Sequence, residues 1–175
     1  MIVAVAGRIG SGKTAVAGRL AELLGAKLVG FGDFVRAKAE EEQLDYWDRS
    51  VLQEFGQKLV SKNPSAFLDQ VLYWGGYVAG QNLVLDGLRH LSVWKALEAR
   101  CAQTLEPILV YLDVDEHMRR SRLVGRSTSD ELSEADLHAM ELESVGLRAS
   151  AQLVLRAEDS PDDLANSIIA WIGTG

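Results

Sequence analysis

Gly7-Arg8-Ile9-Gly10-Ser11-Gly12-Lys13-Thr14 directly follows Met1-Ile2-Val3-Ala4-Val5-Ala6, and the reading of these residues decides the fold. The first octet satisfies the spacing G-x-x-x-x-G-K-[ST]. Glycines open backbone angles closed to other residues, so successive N–H groups can turn inward around phosphate oxygens. The lysine at this spacing reaches the β- and γ-phosphates of a nucleotide, and the hydroxyl after it ligates Mg²⁺.

The flanks agree. Met1 to Ala6 is a short, continuous apolar run rich in β-branched residues, as a buried parallel strand requires. After Thr14, Ala15 to Leu24 places apolar residues at helical spacing, and Gly25 stops the run. A helix beginning at the loop adds its positive end to the phosphate site. Gly7, Arg8, Ile9, Gly10, Ser11, Gly12, Lys13 and Thr14 are therefore the candidate ATP-binding residues. Thr14 is a candidate Mg²⁺ ligand, and Lys13 is a candidate catalytic group.

The chain has 175 residues, 47% hydrophobic and 25% charged, which fits one domain spanning 1–175. No apolar stretch is long enough for a membrane span, and the N-terminal run lacks the flanks of a signal peptide. A single cysteine, Cys101, excludes an internal disulfide and fits a reducing, cytoplasmic setting. The formal charge of −7 argues against polymeric nucleic acid as a partner, which would want a basic face. It leaves room for a small nucleotide held by a few focused cations.

Further along, apolar runs alternate with helical stretches. Ala26–Phe31, Leu83–Asp86, Pro107–Leu112 and Gln152–Leu155 read as strands. Asp33–Glu42, Asp48–Ser61, Pro64–Ala79, Ser92–Ala102, Asp115–Val124, Ser133–Gly146 and a stretch from Ser160-Pro161 to about Trp171 read as helices. The alternation predicts a three-layer α/β domain with a five-stranded, mainly parallel sheet. Ligands of such sheets sit at the carboxyl ends of the strands. Gly32-Asp33, Asp86 to Arg89 and Asp113 fall there with the glycine loop. The helical stretch at about 32–80 reads as an insertion forming a lobe for a second substrate.

Asp86, at the tip of a buried strand, is placed to hold Mg²⁺ opposite Thr14; a turn-capping role is the plainer alternative. Phe31-Gly32-Asp33-Phe34-Val35-Arg36 sets a carboxylate and a cation on one helical turn, and Asp86-Gly87-Leu88-Arg89 adds a second cation. Guanidinium forks suit an incoming phosphate, although both arginines also read as ordinary surface residues. Arg119, Arg122 and Arg126 share a helical face ahead of a polar stretch, Ser127 to Glu131. That predicts a short lid at about 122–134, with a solvated face balancing nearby acids as the alternative. Tyr46, Trp47, Phe55, Phe67, Tyr73, Trp74 and Tyr77 read mostly as core, with one or two free to stack on a base. His90, His117 and His138 lack metal-ligand spacing and read as incidental.

With these motifs in order, the chain resembles the nucleoside monophosphate kinase branch of P-loop kinases over nearly its whole length. Gly32-Asp33-Phe34-Val35-Arg36 resembles the family's Gly-Asp-x-x-Arg segment, which implies acceptor-phosphate binding by Arg36. Asp86-Gly87-Leu88-Arg89 resembles Asp-Gly-x-Pro-Arg, one residue shorter and without the proline; it implies a Mg²⁺-linked role for Asp86 and acceptor binding by Arg89. Arg122-Leu123-Val124-Gly125-Arg126 is similar to the entrance of the adenylate kinase lid. There the first arginine packs on adenine and the second contacts phosphates, roles that pass to Arg122 and Arg126. Arg49-Ser50-Val51-Leu52-Gln53-Glu54-Phe55-Gly56 resembles a stretch of phage-type deoxynucleoside monophosphate kinases and adds Gln53 to the implied acceptor residues. Glu141-Leu142-Glu143-Ser144-Val145-Gly146 is similar to a segment of archaeal kinase-like proteins. The resemblance implies transfer of the ATP γ-phosphoryl group to a nucleoside or deoxynucleoside monophosphate. Two other readings stay open: a hydroxyl acceptor, with Asp33 as base, and an ATP-binding regulator without transfer.

Overall fold

Residues 1–123 and 134–174 are described by a computed structural model. The apolar runs become strands: β1 (Ile2–Gly7), β2 (Lys27–Gly30), β3 (Leu83–Leu88), β4 (Ile108–Asp113) and β5 (Leu153–Arg156). They form one sheet in the order β2-β3-β1-β4-β5, with every pair parallel. The helices are α1 (Lys13–Leu24), α2 (Phe31–Glu41), α3 (Arg49–Lys62), α4 (Pro64–Trp74), α5 (Leu91–Cys101), α6 (Glu116–Leu123), α7 (Glu134–Ser150) and α8 (Pro161–Ile172).

Alternation along β1 divides the core. Ile2, Ala4 and Ala6 face a cluster with Phe34, Phe67, Leu68, Trp94 and Leu147, from α2, α4, α5 and α7. Val3 and Val5 face the other way, onto Val16 and Leu20 of α1 and Leu164 and Ile168 of α8. Burial on both faces is why β1 reads as an unbroken apolar run. Each fully buried leucine or phenylalanine contributes roughly 1.5–3 kcal/mol of transfer free energy.

Side-chain caps set the starts of α3, α4, α6 and α8, with Asp115 accepting from His117 N at 2.8 Å ahead of α6. Asp48 accepts from Ser50 N at 2.8 Å and Val51 N at 3.3 Å, so α3 starts after it. Asn63 accepts from Ala66 N at 3.0 Å, with Pro64 at the first helical position. Ser160 Oγ accepts from Asp163 N at 3.2 Å.

Several boundaries differ from the sequence reading. The helix expected over Pro64–Ala79 ends at Trp74. The Gly75-Gly76 pair stops it: Gly76 has φ +65°, and a Cβ on Gly75 would stand 2.5 Å from Val29 Cγ2 of β2. Phe31 belongs to α2 rather than to β2, so strand passes to helix with no loop between them. β3 runs past Asp86 to Leu88. Gly87, at φ +81°, absorbs a register slip there, so that Val5 pairs with Asp86 and Ala6 with Leu88. The helix expected over Ser133–Gly146 continues to Ser150, and its expected cap, Ser133, lies outside the described residues. The aromatic residues also divide differently. Phe55 and Phe67 are core, but Trp47 is 81% exposed and Tyr73 89% exposed.

Candidate functional site

β1 delivers the chain to the carboxyl edge of the sheet at Gly7, whose φ is +152°. A Cβ there would stand 2.7 Å from the Leu112 carbonyl oxygen and 2.8 Å from Ser11 Oγ, so only glycine lets the loop lie this close to β4. Gly10 (φ +87°) and Gly12 (φ +84°) supply the two left-handed turns. Ser11 N donates to the Arg8 carbonyl at 3.1 Å, and Ser11 is 1% exposed. The Gly12 carbonyl takes the first turn of α1, from Ala15 N at 3.1 Å and Val16 N at 3.3 Å. No side chain caps this helix. Its N-terminal dipole therefore faces the interior of the loop.

Lys13 is 7% exposed, and its Nζ donates to the Arg8 carbonyl at 3.2 Å. The ammonium thus lies across the loop it would share with a phosphate tail. The Thr14 hydroxyl lies against the Asp86 carboxylate, two groups that the sequence reading set on opposite sides of a Mg²⁺ ion. Asp86 is flanked by Val5 on β1 and by Gly30 on β2, the residue at which β2 ends. Burial pushes its carboxyl up from the ordinary value. The Thr14 hydrogen bond, the Lys13 ammonium and Arg89 oppose that push, and the Asp33 carboxylate adds to it.

Asp86 Oδ1 is buried without a hydrogen-bond partner. A buried carboxylate oxygen with no donor, beside a threonine hydroxyl and a nucleotide loop, fits a magnesium ion held by few protein oxygens and completed by phosphate and water.

The folded-state carboxyl of Asp86 holds its proton to higher pH than the unfolded chain does. Stability is therefore lost as pH rises through the two values, and above them the whole cost of the buried charge is present. Asp86→Asn is expected to raise the thermal midpoint of the ligand-free protein at pH 8 and to leave it unchanged near pH 3. Differential scanning fluorimetry at both pH values checks this, with loss of Mg²⁺-induced stabilisation in the same variant.

Asp33 stands on the first turn of α2, and a Cβ on Gly30 would collide with its Oδ2, so the carboxylate folds back over the end of β2. Arg36, one turn on, donates to Asp33 Oδ1 at 3.2 Å. Arg89 is exposed just beyond β3, and its charge acts on both Asp86 and His90. Asp33, Arg36, Asp86 and Arg89 thus gather on the side of the loop toward β2 and β3. Gln53 is half-buried on α3, the helix whose Gly56 packs on Val35 of α2.

Arg122 projects from α6 onto the loop. It donates to Ser11 O at 3.3 Å, Gly10 O at 3.5 Å and, from the far side, Ala157 O at 2.8 Å. Arg126 and most of the expected lid lie outside the described residues.

Sequence reasoning missed two ion pairs beside the loop. Arg8 Nη1 donates to Glu116 Oε2 at 3.2 Å, and Arg148 of α7 closes on Asp113 Oδ2 at 3.1 and 3.2 Å. Glu116 was legible only as an acid in the first turn of a helix, and Arg148 only as a cation in a last turn. Cys101 is buried in the core, and burial pushes its thiol ionisation up.

The sheet order and the glycine loop define the class: a P-loop nucleotide-binding protein with a kinase-type fold. The chain belongs to the AAA domain family, whose model (AAA_18) matches residues 3–144. A comparison with the curated proteins finds none that matches. Among solved structures, shikimate kinase from Acinetobacter baumannii, in complex with shikimate, superposes with a TM-score of 0.69 at 16% identity, over 98% of this chain and 92% of that one. Shikimate kinase from Aquifex aeolicus gives 0.61 at 13% identity, over 99% and 97%. A sugar kinase from Janibacter sp. gives 0.59 at 16%, over 98% and 93%. At these identities the likeness is one of fold.

Proposed function

We propose that the chain is a Mg²⁺-ATP-dependent kinase that moves the γ-phosphoryl group onto the phosphate of a nucleoside or deoxynucleoside monophosphate. The supporting observation is that two guanidinium groups, Arg36 and Arg89, gather with Asp33 and Asp86 on the edge that carries Lys13 and Thr14. A site that only binds ATP has no use for this second set of cations.

In this reading the loop N–H groups and Lys13 hold the donor tail, and Arg122 closes over the donor. Thr14 and Asp86 would hold magnesium, which supplies charge neutralisation on the β- and γ-phosphates. Arg36 and Arg89 seat the acceptor phosphate, with Gln53 near its base or sugar. An anionic acceptor needs no general base, so the protein's work is positioning and charge neutralisation.

A hydroxyl acceptor is the second reading. What favours it is that the Asp33 carboxylate lies within electrostatic reach of Asp86, where a base would be needed. The solved relatives named above, shikimate and sugar kinases, belong to that type by their names. The decisive experiment is an acceptor screen of the full chain with Mg²⁺-ATP, reading ADP release. The panel is nucleoside and deoxynucleoside monophosphates, nucleosides, dephospho-coenzyme A, shikimate and simple sugars. Turnover with monophosphates is expected, and turnover confined to hydroxyl acceptors overturns the first reading in favour of the second.

A further inference from the structure

Glu116, on the first turn of α6, holds three guanidinium groups on one carboxylate. Arg119 forks onto it, Nε to Oε2 at 2.9 Å and Nη2 to Oε1 at 2.7 Å. Arg120 Nε reaches Oε1 at 3.1 Å, and Arg8 Nη1 reaches Oε2 at 3.2 Å. Arg8 belongs to the phosphate loop itself, next to Gly7. The Arg120 side chain is 77% exposed and its pair is worth little, whereas Arg119 is 22% exposed and Arg8 35%.

A carboxylate at the lip of a loop built for polyphosphate repels the ligand unless it has another task. Here that task is visible. Glu116 gives Arg8 of the loop and Arg119 of α6 one shared counter-charge. Hydrogen bonds from Arg119, foremost, and then from Arg120, hold the Glu116 carboxyl down at about 2, so it stays anionic at any working pH. Each guanidinium keeps further donors beyond those given to Glu116. A triphosphate tail carries several charges against the carboxylate's one, and competes for the same cations.

Building on the donor site proposed above, we infer that Arg8 and Arg119 form a clamp for the donor's phosphate tail. Glu116 is its resident counter-ion, from which the arriving tail takes the arginines. Glu116 is then a positioning residue. It holds the cations before the tail arrives and sets how tightly the tail is held.

Titration calorimetry of the full chain with inorganic tripolyphosphate, at low ionic strength, tests this; the probe reads the phosphate clamp without adenine contacts. Glu116→Gln is expected to tighten binding about tenfold, because the competitor is gone while its shape remains. The gain is expected to vanish in Arg8→Ala/Glu116→Gln. Unchanged or weaker binding in Glu116→Gln, or a gain that survives without Arg8, overturns the inference. Arg8→Met gives an arm that does not depend on how Glu116→Gln folds. It leaves the Arg119–Glu116 fork in place and is expected to weaken tripolyphosphate about tenfold; binding like the parent protein overturns the clamp. Lys13→Ala separates the two proposals, since undiminished tripolyphosphate binding in that variant removes the donor site as well as the clamp built on it.

Discussion

Lys13→Ala is expected to lower turnover about 10³-fold, as loss of a preorganised donor at a transferring group does in other enzymes. That corresponds to about 4 kcal/mol of transition-state stabilisation. The geometry explains why the loss is large and why it falls on chemistry rather than on folding. The ammonium is nearly buried, and it donates to the Arg8 carbonyl at 3.2 Å. A loop carbonyl can find a water donor once the side chain is gone. A γ-phosphate acquiring charge in a water-poor cleft has no such replacement. The variant is therefore expected to unfold within a few degrees of the parent protein in a thermal melt while failing in a coupled ADP-release assay. Near-normal turnover with an intact fold would remove Lys13, and with it the donor site, from the mechanism. Lys13→Arg is expected to recover little, because the planar fork is longer than the ammonium and cannot enter a loop whose Gly7 already touches the Leu112 carbonyl.

The strand, loop and helix at the start of the chain were legible in the sequence because their geometry is local. A strand, three positive-φ glycines, a lysine and a threonine are consecutive, so the motif carries its own geometry. The strand order followed less directly: alternation of strands and helices predicted a parallel sheet, but not that β1 lies between β3 and β4. The nearness of Thr14 to Asp86 follows from β3 pairing in parallel with β1, which sets Asp86 on the strand beside the one that feeds the loop and α1. What the sequence hid are contacts between positions far apart in the chain. Arg8 with Glu116 and Asp113 with Arg148 are charged residues in regions with several candidate partners, and no periodicity selects among them. The end of α4 was misread for a different reason. Gly75 is excluded from carrying a side chain by Val29, a neighbour in space and not in sequence.

The acceptor half separates by kinetics. If Arg36 and Arg89 seat a phosphate, Arg89→Ala should raise the acceptor KM about ten- to a hundredfold, the range for a hydrogen bond to a charged group, with the ATP KM unchanged. Arg36→Ala should fall at the lower end, because its side chain is 51% exposed and already paired with Asp33. Asp33→Asn distinguishes the two chemistries. It keeps the shape of the side chain over Gly30 while removing the charge that faces Asp86. With a phosphate acceptor no proton has to be taken, so kcat should fall by about tenfold or less, through magnesium and Arg36 positioning alone. With a hydroxyl acceptor the same substitution removes the base, and the loss should lie at about 10²–10⁴-fold. Acceptor seating by Arg89 also predicts an acceptor KM that worsens as the acceptor phosphate takes up a proton. A large kcat loss in Asp33→Asn, together with an acceptor KM indifferent to Arg89→Ala, would transfer the assignment from monophosphates to alcohols.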